Sequence, residues 1–380
     1  MTDKFSRREL LLMGRAVLLS AALESLLGGC GTQENASPSI PDVVTAPAIP
    51  AQAGESAVVS IARIENDEIG SAVEKALDLL GGVETVTQGK ERIMLKPNLT
   101  TDDPGSATKP EVIETLARLM QAAGKDIRIG EGSAAANGFN VQGGETFRTQ
   151  NRDLLDRMQR HVFDRLGYTK LARSLGIPLV NLHSGEMVDV ELPDGLAFDQ
   201  ITLHRSLAEI DLLCSVPMMK THSLATVTLG MKNLMGLYPG TVYCAVRACV
   251  HDLAAEAGSP GIAFETLDMV RANKLGLVVV DGSMAMEGNG PTEGDLVKMD
   301  VIIAGVNPLA TDMVAAAAMG FDPGDIPTFA WANKIGMQPS SLDEIEIRGE
   351  TLDGVRRDFA RPAIYPWGEV RRHWAVRDMP

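Results

Sequence analysis

Lys220, His222, Lys232 and Asn233 fall within fourteen residues, interleaved with the hydroxyls of Thr221, Ser223, Thr226 and Thr228 and with Gly230 and Gly236 close by. Two ammonium groups beside an imidazole can hold a small anion and move a proton on it, because a fold readily shifts the pKa values of lysine and histidine toward neutrality. The apolar run from Leu212 to Pro217 comes just before. The segment therefore reads as a buried strand opening into a polar loop, where α/β proteins keep their chemistry. Like charge from Lys220 and Lys232 should lower the pKa of His222 and keep the ring neutral near pH 7, as a base or as a metal ligand. Ligation needs further donors, and His204 and His251 are the nearest histidines. His251 is preferred, because Arg247 to Asp252 looks like a helix start that can aim the ring back at the rim. Each residue alone also fits an exposed basic loop with a satisfied histidine; the cluster as a group points to a site.

Other polar groups follow expected strands. Lys96 and Asn98 come after Arg92 to Leu95, Glu131 and Ser133 after Asp126 to Ile129, and Asp281 after Leu275 to Val280. Side chains leaving the carboxyl ends of parallel strands converge on one rim. The candidate catalytic residues are therefore His222, Lys220, Lys232 and Glu131. Lys96, Asn98, Asn233 and Asp281 are candidates for contacting a ligand or cofactor, and His222 with His251 for holding a metal. Asp312 lies in an alanine-rich helix, where burial would demand hydrogen-bond partners and exposure would not.

The elements around these residues alternate. Helical spacing covers Ser71 to Leu80, Val112 to Ala123 with Pro110 at the first turn and Gly124 as cap, Asn151 to Ser174, Ala263 to Ala272 and Leu309 to Met319. Further strands are expected at Leu179 to Leu182, Ile201 to His204, Leu212 to Val216 and Val301 to Ala304. This alternation predicts an α/β fold with a mostly parallel, helix-covered sheet and room for a second, smaller lobe. The α/β domain spans residues 55–350, and a C-terminal arm rich in arginine, tryptophan and proline takes up 351–380.

Several stretches together resemble the bacterial and archaeal family called domain of unknown function 362: Met94-Leu95-Lys96-Pro97-Asn98, Gly130-Glu131-Gly132-Ser133, Lys220-Thr221-His222, Met231-Lys232-Asn233-Leu234, Val280-Asp281-Gly282 and Pro308-Leu309-Ala310-Thr311-Asp312. Many relatives carry an added module with repeated Cys-x-x-Cys spacing. This chain has no Cys-x-x-Cys, so no iron–sulfur cluster is implied. The order His222, Lys232, His251 is also similar to that of key residues in the lactate racemase family. That resemblance implies His222 as acid/base, Lys232 as the lysine carrying a nickel pincer cofactor and His251 as metal ligand. The second acid/base histidine of that family is missing, since Gly130-Glu131-Gly132-Ser133 stands in its place.

The amino terminus reads as an address. Arg7-Arg8, the apolar stretch Leu10 to Leu27 and Leu27-Gly28-Gly29-Cys30 follow in the order of a twin-arginine lipoprotein signal, so residues 1–29 are expected to be removed and Cys30 lipidated. Arg15 and Glu24 interrupt the apolar run, which argues against a permanent membrane span. Residues 30–54, rich in Pro, Ala, Ser and Thr, read as a flexible tether. The protein is thus expected outside the cytoplasm, held by membrane lipid. Cys214 sits in an apolar run and reads as core, whereas Cys244 and Cys249 suit either a small-loop disulfide or soft metal ligation.

The 380 residues carry a net charge of −15, with 45% hydrophobic and 4% aromatic residues. This acidity excludes a nucleic-acid partner, because a phosphate backbone needs a basic surface. A small anion held by a local basic cluster remains compatible. The sequence favours an enzyme acting on a small anionic substrate or bound cofactor, by proton transfer or isomerisation with or without a metal ion. Its rivals are a non-catalytic lipoprotein that binds or delivers a metal, cofactor or small anion, and a scaffold with a vestigial pocket.

Overall fold

The computed structural model describes residues 41–46, 57–366 and 368–369, and the backbone of 377–378. The expected signal peptide, Cys30 and most of the tether lie outside the described residues. Among the described residues, no helix is long and apolar enough to cross a membrane.

Eleven strands form the main sheet: β1 Ala57–Arg63, β2 Arg92–Pro97, β3 Asp126–Glu131, β4 Leu179–Asn181, β5 Leu212–Val216, β6 Met218–His222, β7 Thr226–Thr228, β8 Leu275–Glu287, β9 Asp295–Val297, β10 Val301–Gly305 and β11 Ile345–Gly349. The order along the sheet is β11-β1-β10-β8-β5-β2-β3-β4. In this path β10 alone runs against its neighbours, so the sheet is mostly parallel as expected. The chain winds outward from β2 through β3 to β4, then returns to place β5 on the other side of β2. That reversal is a topological switch point, where the loops above the strands part and leave a crevice.

Nine helices matter here: α1 Ile69–Leu79, α2 Pro110–Ala122, α3 Arg152–Arg165, α4 Tyr168–Leu175, α5 Gly230–Asn233, α6 Ala248–Glu256, α7 Ala263–Arg271, α8 Pro308–Ala318 and α9 Pro327–Lys334. In α2, Val112, Ile113, Leu116, Ala117 and Met120 are buried at three- and four-residue spacing, the stripe a helix needs to cover a sheet. Strand alternation divides the core. Ile93, Leu95, Ile127 and Ile129 pack with α1 to α4 on one face, while Met94 and Leu213 meet Leu234, Tyr238 and Phe264 on the other. Period-two geometry puts Lys96 on the Met94 face. With helices on both faces, the central strands are apolar on both sides.

Three expectations need correcting. The domain begins with β1, a strand, and not with the helix at Ser71; Ala57–Arg63 is completed by pairing with β10 and β11. Val43–Thr45, placed by sequence in the flexible tether, pairs in parallel with Met187–Glu191, because two valines and a threonine in succession suit a strand once an edge is available. Finally, Met218–His222 is not a loop. The strand predicted as Leu275 to Val280 runs on to Glu287, so its second half supplies backbone partners to β6 and β9. Beyond Pro217 the chain re-enters the sheet as β6 and turns back as β7.

From Asp42 onward the chain is one compact unit. Two small three-stranded sheets accompany the main one, and the expected second lobe does not separate from this unit. The arm crosses near the β6–β7 turn, where the Tyr365 N–H donates to the Ser223 carbonyl (3.1 Å) and the Gly288 N–H to that of Ala360 (2.9 Å).

Candidate functional site

Lys96, at the end of β2, is 1% exposed, and its ammonium donates to Glu131 Oε2 at 2.9 Å, Asn233 Oδ1 at 3.1 Å and the Pro97 carbonyl at 3.0 Å. Glu131, at the end of β3, also accepts from the N–H of Leu99 (3.0 Å) and of Gly132 (2.8 Å). Asn233 gives its amide protons to the Lys96 carbonyl and Ser215 Oγ, and its Oδ1 accepts a second bond from Asn98 Nδ2. Burial lowers the Lys96 pKa, and the Glu131 carboxylate opposes that shift. The pair has been walled in: a Cβ on Gly236 would run into Glu131 Oε1 and come within 2.8 Å of Lys96 Nζ. Only glycine lets the segment after α5 approach this closely.

In this structure four of the expected site residues are engaged within the protein. Lys96 has given all three protons and Asn233 both of its own, so neither has a donor left for a ligand. Glu131 holds Lys96 and two backbone N–H groups in place, a positioning task. Asp281 accepts from the Lys109 N–H (2.8 Å) and from the N–H and hydroxyl of Ser283, which ties β8 to the start of α2. Asn98 alone among the expected ligand contacts keeps an unpaired buried atom, Oδ1.

Lys220 and His222 alternate with Thr221 along β6 and so share a face. Opposite them in the hairpin stand Thr228 and Thr226. Lys220 is fully buried and donates to the Ser106 carbonyl at 2.8 Å and Thr100 Oγ1 at 3.4 Å. Burial pulls its pKa down to about 7, and the nearby Lys232 charge adds to the shift. Lys232, on α5, is also lowered to about 7, mainly by burial, with Glu265 opposing and Arg247 and Lys96 reinforcing. Among the described residues, neither lysine has a carboxylate within ion-pair distance, and the Lys232 ammonium has no hydrogen-bond partner.

His222 Nδ1 accepts from the Leu224 N–H at 3.0 Å and the Ala225 N–H at 3.4 Å. Its pKa is well below the usual histidine value, chiefly through burial and then through Lys232 and Lys220. The ring is therefore neutral as expected, although burial outweighs like charge as the cause. With Nδ1 accepting, the proton sits on Nε2, and the ring presents an N–H donor instead of a lone pair. His251, on α6, is arranged the other way round. Its Nδ1 lies 3.0 Å from Glu265 Oε1, and since a carboxylate only accepts, that nitrogen carries a proton and donates. Among the described residues, no group of three or more His, Cys, Asp or Glu is arranged to hold a metal ion. His204 sits apart, in a small sheet, with Nδ1 on Ser206 Oγ.

Three residues escaped the sequence reading. Arg247 is 3% exposed and donates to the carbonyls of Gly132, Ser133, Met235 and Gly236. His183 bridges the Ser133 carbonyl and the Gly240 N–H. Glu265 orients His251. Only His183 carried a signal, since it follows the expected strand Leu179 to Leu182. Asp312 is buried after all, and accepts from the N–H groups of Gly230 (2.7 Å) and Met231 (2.8 Å) at the start of α5. Burial still raises its pKa to about 7. Cys214 is buried, as expected, and Cys244 and Cys249 form a disulfide.

Residues 93–317, which carry every residue of this cluster, match the family described as domain of unknown function (DUF362). The chain belongs to that family. A relative within it, the Thylakoid-associated protein sll1697 of Synechocystis sp., is 30% identical over 293 residues, 75% of this chain and 81% of the relative. Among solved structures, the lactate racemase apoprotein of Thermoanaerobacterium thermosaccharolyticum superposes with a TM-score of 0.40 at 12% identity, over 70% of this chain and 57% of that one. A Thermotoga maritima protein gives 0.35 at 13%, over 62% and 53%. Both likenesses are too distant to bear on function. The family assignment confirms the resemblance drawn from the Lys-Thr-His and Met-Lys-Asn-Leu segments, and leaves the chemistry to be argued from the site.

Proposed function

We propose that this member of the family is an enzyme that binds a small anionic substrate or cofactor between Lys220, Lys232 and His222 and moves a proton on it. The observation that carries this reading is the pair of lysines on β6 and α5, lowered to about 7 and, among the described residues, without a carboxylate at ion-pair distance. A buried Lys220 amine beside a second, partly buried one is costly unless an anion joins them, and an amine whose pKa is pulled toward 7 is suited to general base work. Lys232, with its unbonded amine, is the base. Lys220, braced by Ser106 and Thr100, anchors the anion. His222 offers Nε2–H to oxygen charge that develops as the proton leaves, a fixed donor in a dry site. A covalent cofactor would find the Lys232 amine as its attachment point.

Binding should take up protons. At pH 7 the Lys220 amine is about half protonated, and an anion that restores it to ordinary lysine behaviour draws in up to about half a proton per site, while Lys232 stays available as the base. Calorimetry with small carboxylates and inorganic phosphate, repeated in buffers of different ionisation enthalpy, measures that uptake. Binding without proton uptake, or no binding across the panel, rejects the site. Stoichiometric binding with uptake but without turnover favours the carrier alternative, a lipoprotein that delivers its ligand.

The same proposal places the protein outside the cytoplasm, anchored through Cys30. The ordered Arg7-Arg8, apolar and Leu27-Gly28-Gly29-Cys30 elements support it, and the name of the relative associates that protein with a membrane system. A Cys30→Ala variant is expected to leave the membrane fraction, and Lys replacements of Arg7 and Arg8 to stay unexported. Unchanged membrane association of Cys30→Ala removes lipidation as the anchor.

A further inference from the structure

Cys244 and Cys249 close a six-residue loop in which three non-glycine residues have left-handed backbone angles: Cys244 at φ 63°, Val246 at 57° and Arg247 at 58°. L-residues adopt such angles only where the surroundings over-determine them. The loop is stitched to the neighbouring turn by Ala245 N–H to the Thr149 carbonyl (2.8 Å) and Val246 N–H to the Ala134 carbonyl (3.1 Å). It delivers the buried Arg247 guanidinium to four carbonyls, two after β3 and two after α5. Those are the segments that carry Glu131 and Lys232. A Cβ on Gly132 would lie 3.0 Å from the guanidinium, so the fit leaves no slack. His251 follows directly on α6.

We propose that the Cys244–Cys249 disulfide is a redox latch on the basic site: while closed it holds Arg247 between the Glu131 and Lys232 segments, and reduction by an external dithiol releases the loop and disorganises the site. Cys249 is the more exposed of the two residues and is the point of attack. A thiolate of the dithiol bonds to Cys249, Cys244 leaves as a thiolate and is protonated, and the second thiol of the reagent then displaces Cys249 as it closes its own disulfide. Two electrons and two protons pass from reagent to protein. The release has an electrostatic consequence, because the Arg247 charge also acts on Lys96, His183 and Lys232.

The latch goes beyond the anion-site reading, and two measurements on the full chain keep their failures apart. Hydrogen exchange at the Ala245 and Val246 amides, with thiol counting, tests the latch itself. Exchange at least ten times faster after dithiothreitol, reversed on reoxidation and reproduced by the Cys244→Ser/Cys249→Ser variant, is expected. Unchanged exchange once two thiols are free overturns the latch. The pH midpoint of Lys232 acylation, read by mass spectrometry, tests its link to the site. It should lie near 7 when oxidised and rise by one pH unit or more on reduction. A midpoint near 7 in both states overturns the link. A midpoint near 10 in the oxidised protein overturns the anion-site reading and leaves the exchange result to decide the latch.

Discussion

Replacing Glu131 by alanine is expected to destabilise the fold by about 3–5 kcal/mol, the cost of stranding one member of a buried ion pair. The Lys96 ammonium would keep only Pro97 and Asn233 as partners in a site 1% exposed to water, and the N–H groups of Leu99 and Gly132 would lose their acceptor. Substitution of both partners, Lys96→Met with Glu131→Gln, should recover part of the loss, because it removes the stranded charge and keeps an acceptor for one of the two amides. Denaturant titration measures both. A loss under about 1 kcal/mol for Glu131→Ala would show that the pair is hydrated and the positioning role assigned to Glu131 mistaken.

Lys220→Met is expected to do the opposite: it should stabilise the protein at neutral pH while abolishing anion binding. An unfolded lysine titrates near 10.4 and the folded Lys220 near 7, so between these values the unfolded chain holds more protons and stability rises with pH. Below pH 7 both states are charged and the full penalty applies, with a ceiling of about 5 kcal/mol at about 1.4 kcal/mol per pH unit. Losing the bonds to Ser106 and Thr100 offsets part of it, which leaves a gain of a few kcal/mol. Asp312 contributes with the reverse sign. Its folded pKa of about 7 lies above the ordinary carboxylate value, so the native state holds the extra proton and stability falls from about pH 4 to 7. Lys232, lowered to the same value, adds its own rise, so the wild type has a stability trough near pH 7 and a climb toward pH 10 that Lys220→Met should roughly halve. A variant no more stable than wild type at pH 7, with an unchanged slope above it, would show that Lys220 is an ordinary solvated lysine.

Much of the architecture was legible in the sequence for local reasons. Leu212–Val216 matched its expected bounds, and Pro110–Ala122 came within two residues at either end, because a strand apolar on both faces and a Pro-started amphipathic helix advertise themselves in residue order. The meeting of Lys96 with Glu131 was also legible, since the ends of neighbouring parallel strands share a rim. The secondary state of Lys220 and His222 was not. Whether Met218–His222 pairs depends on β8 extending to Glu287, a partner more than fifty residues away. β-Pairing is a property of the neighbour as much as of the strand.

Residue types and spacing thus determined the α/β class, the family and the meeting of Lys96 with Glu131. Tertiary structure alone decided what each of those groups is able to do. Lys96, Asn233 and Glu131 became fixed struts because their hydrogen-bond capacity is consumed inside the protein, whereas Lys232 kept its amine unbonded and His222 its Nε2–H available. His222 became a donor at Nε2 because two backbone N–H groups meet its Nδ1, and His251 a donor at Nδ1 because Glu265 meets it. Protonation state and free valence are set by desolvation and by partners distant in sequence. For that reason the order of residues named the participants, and the packing around them assigned the roles.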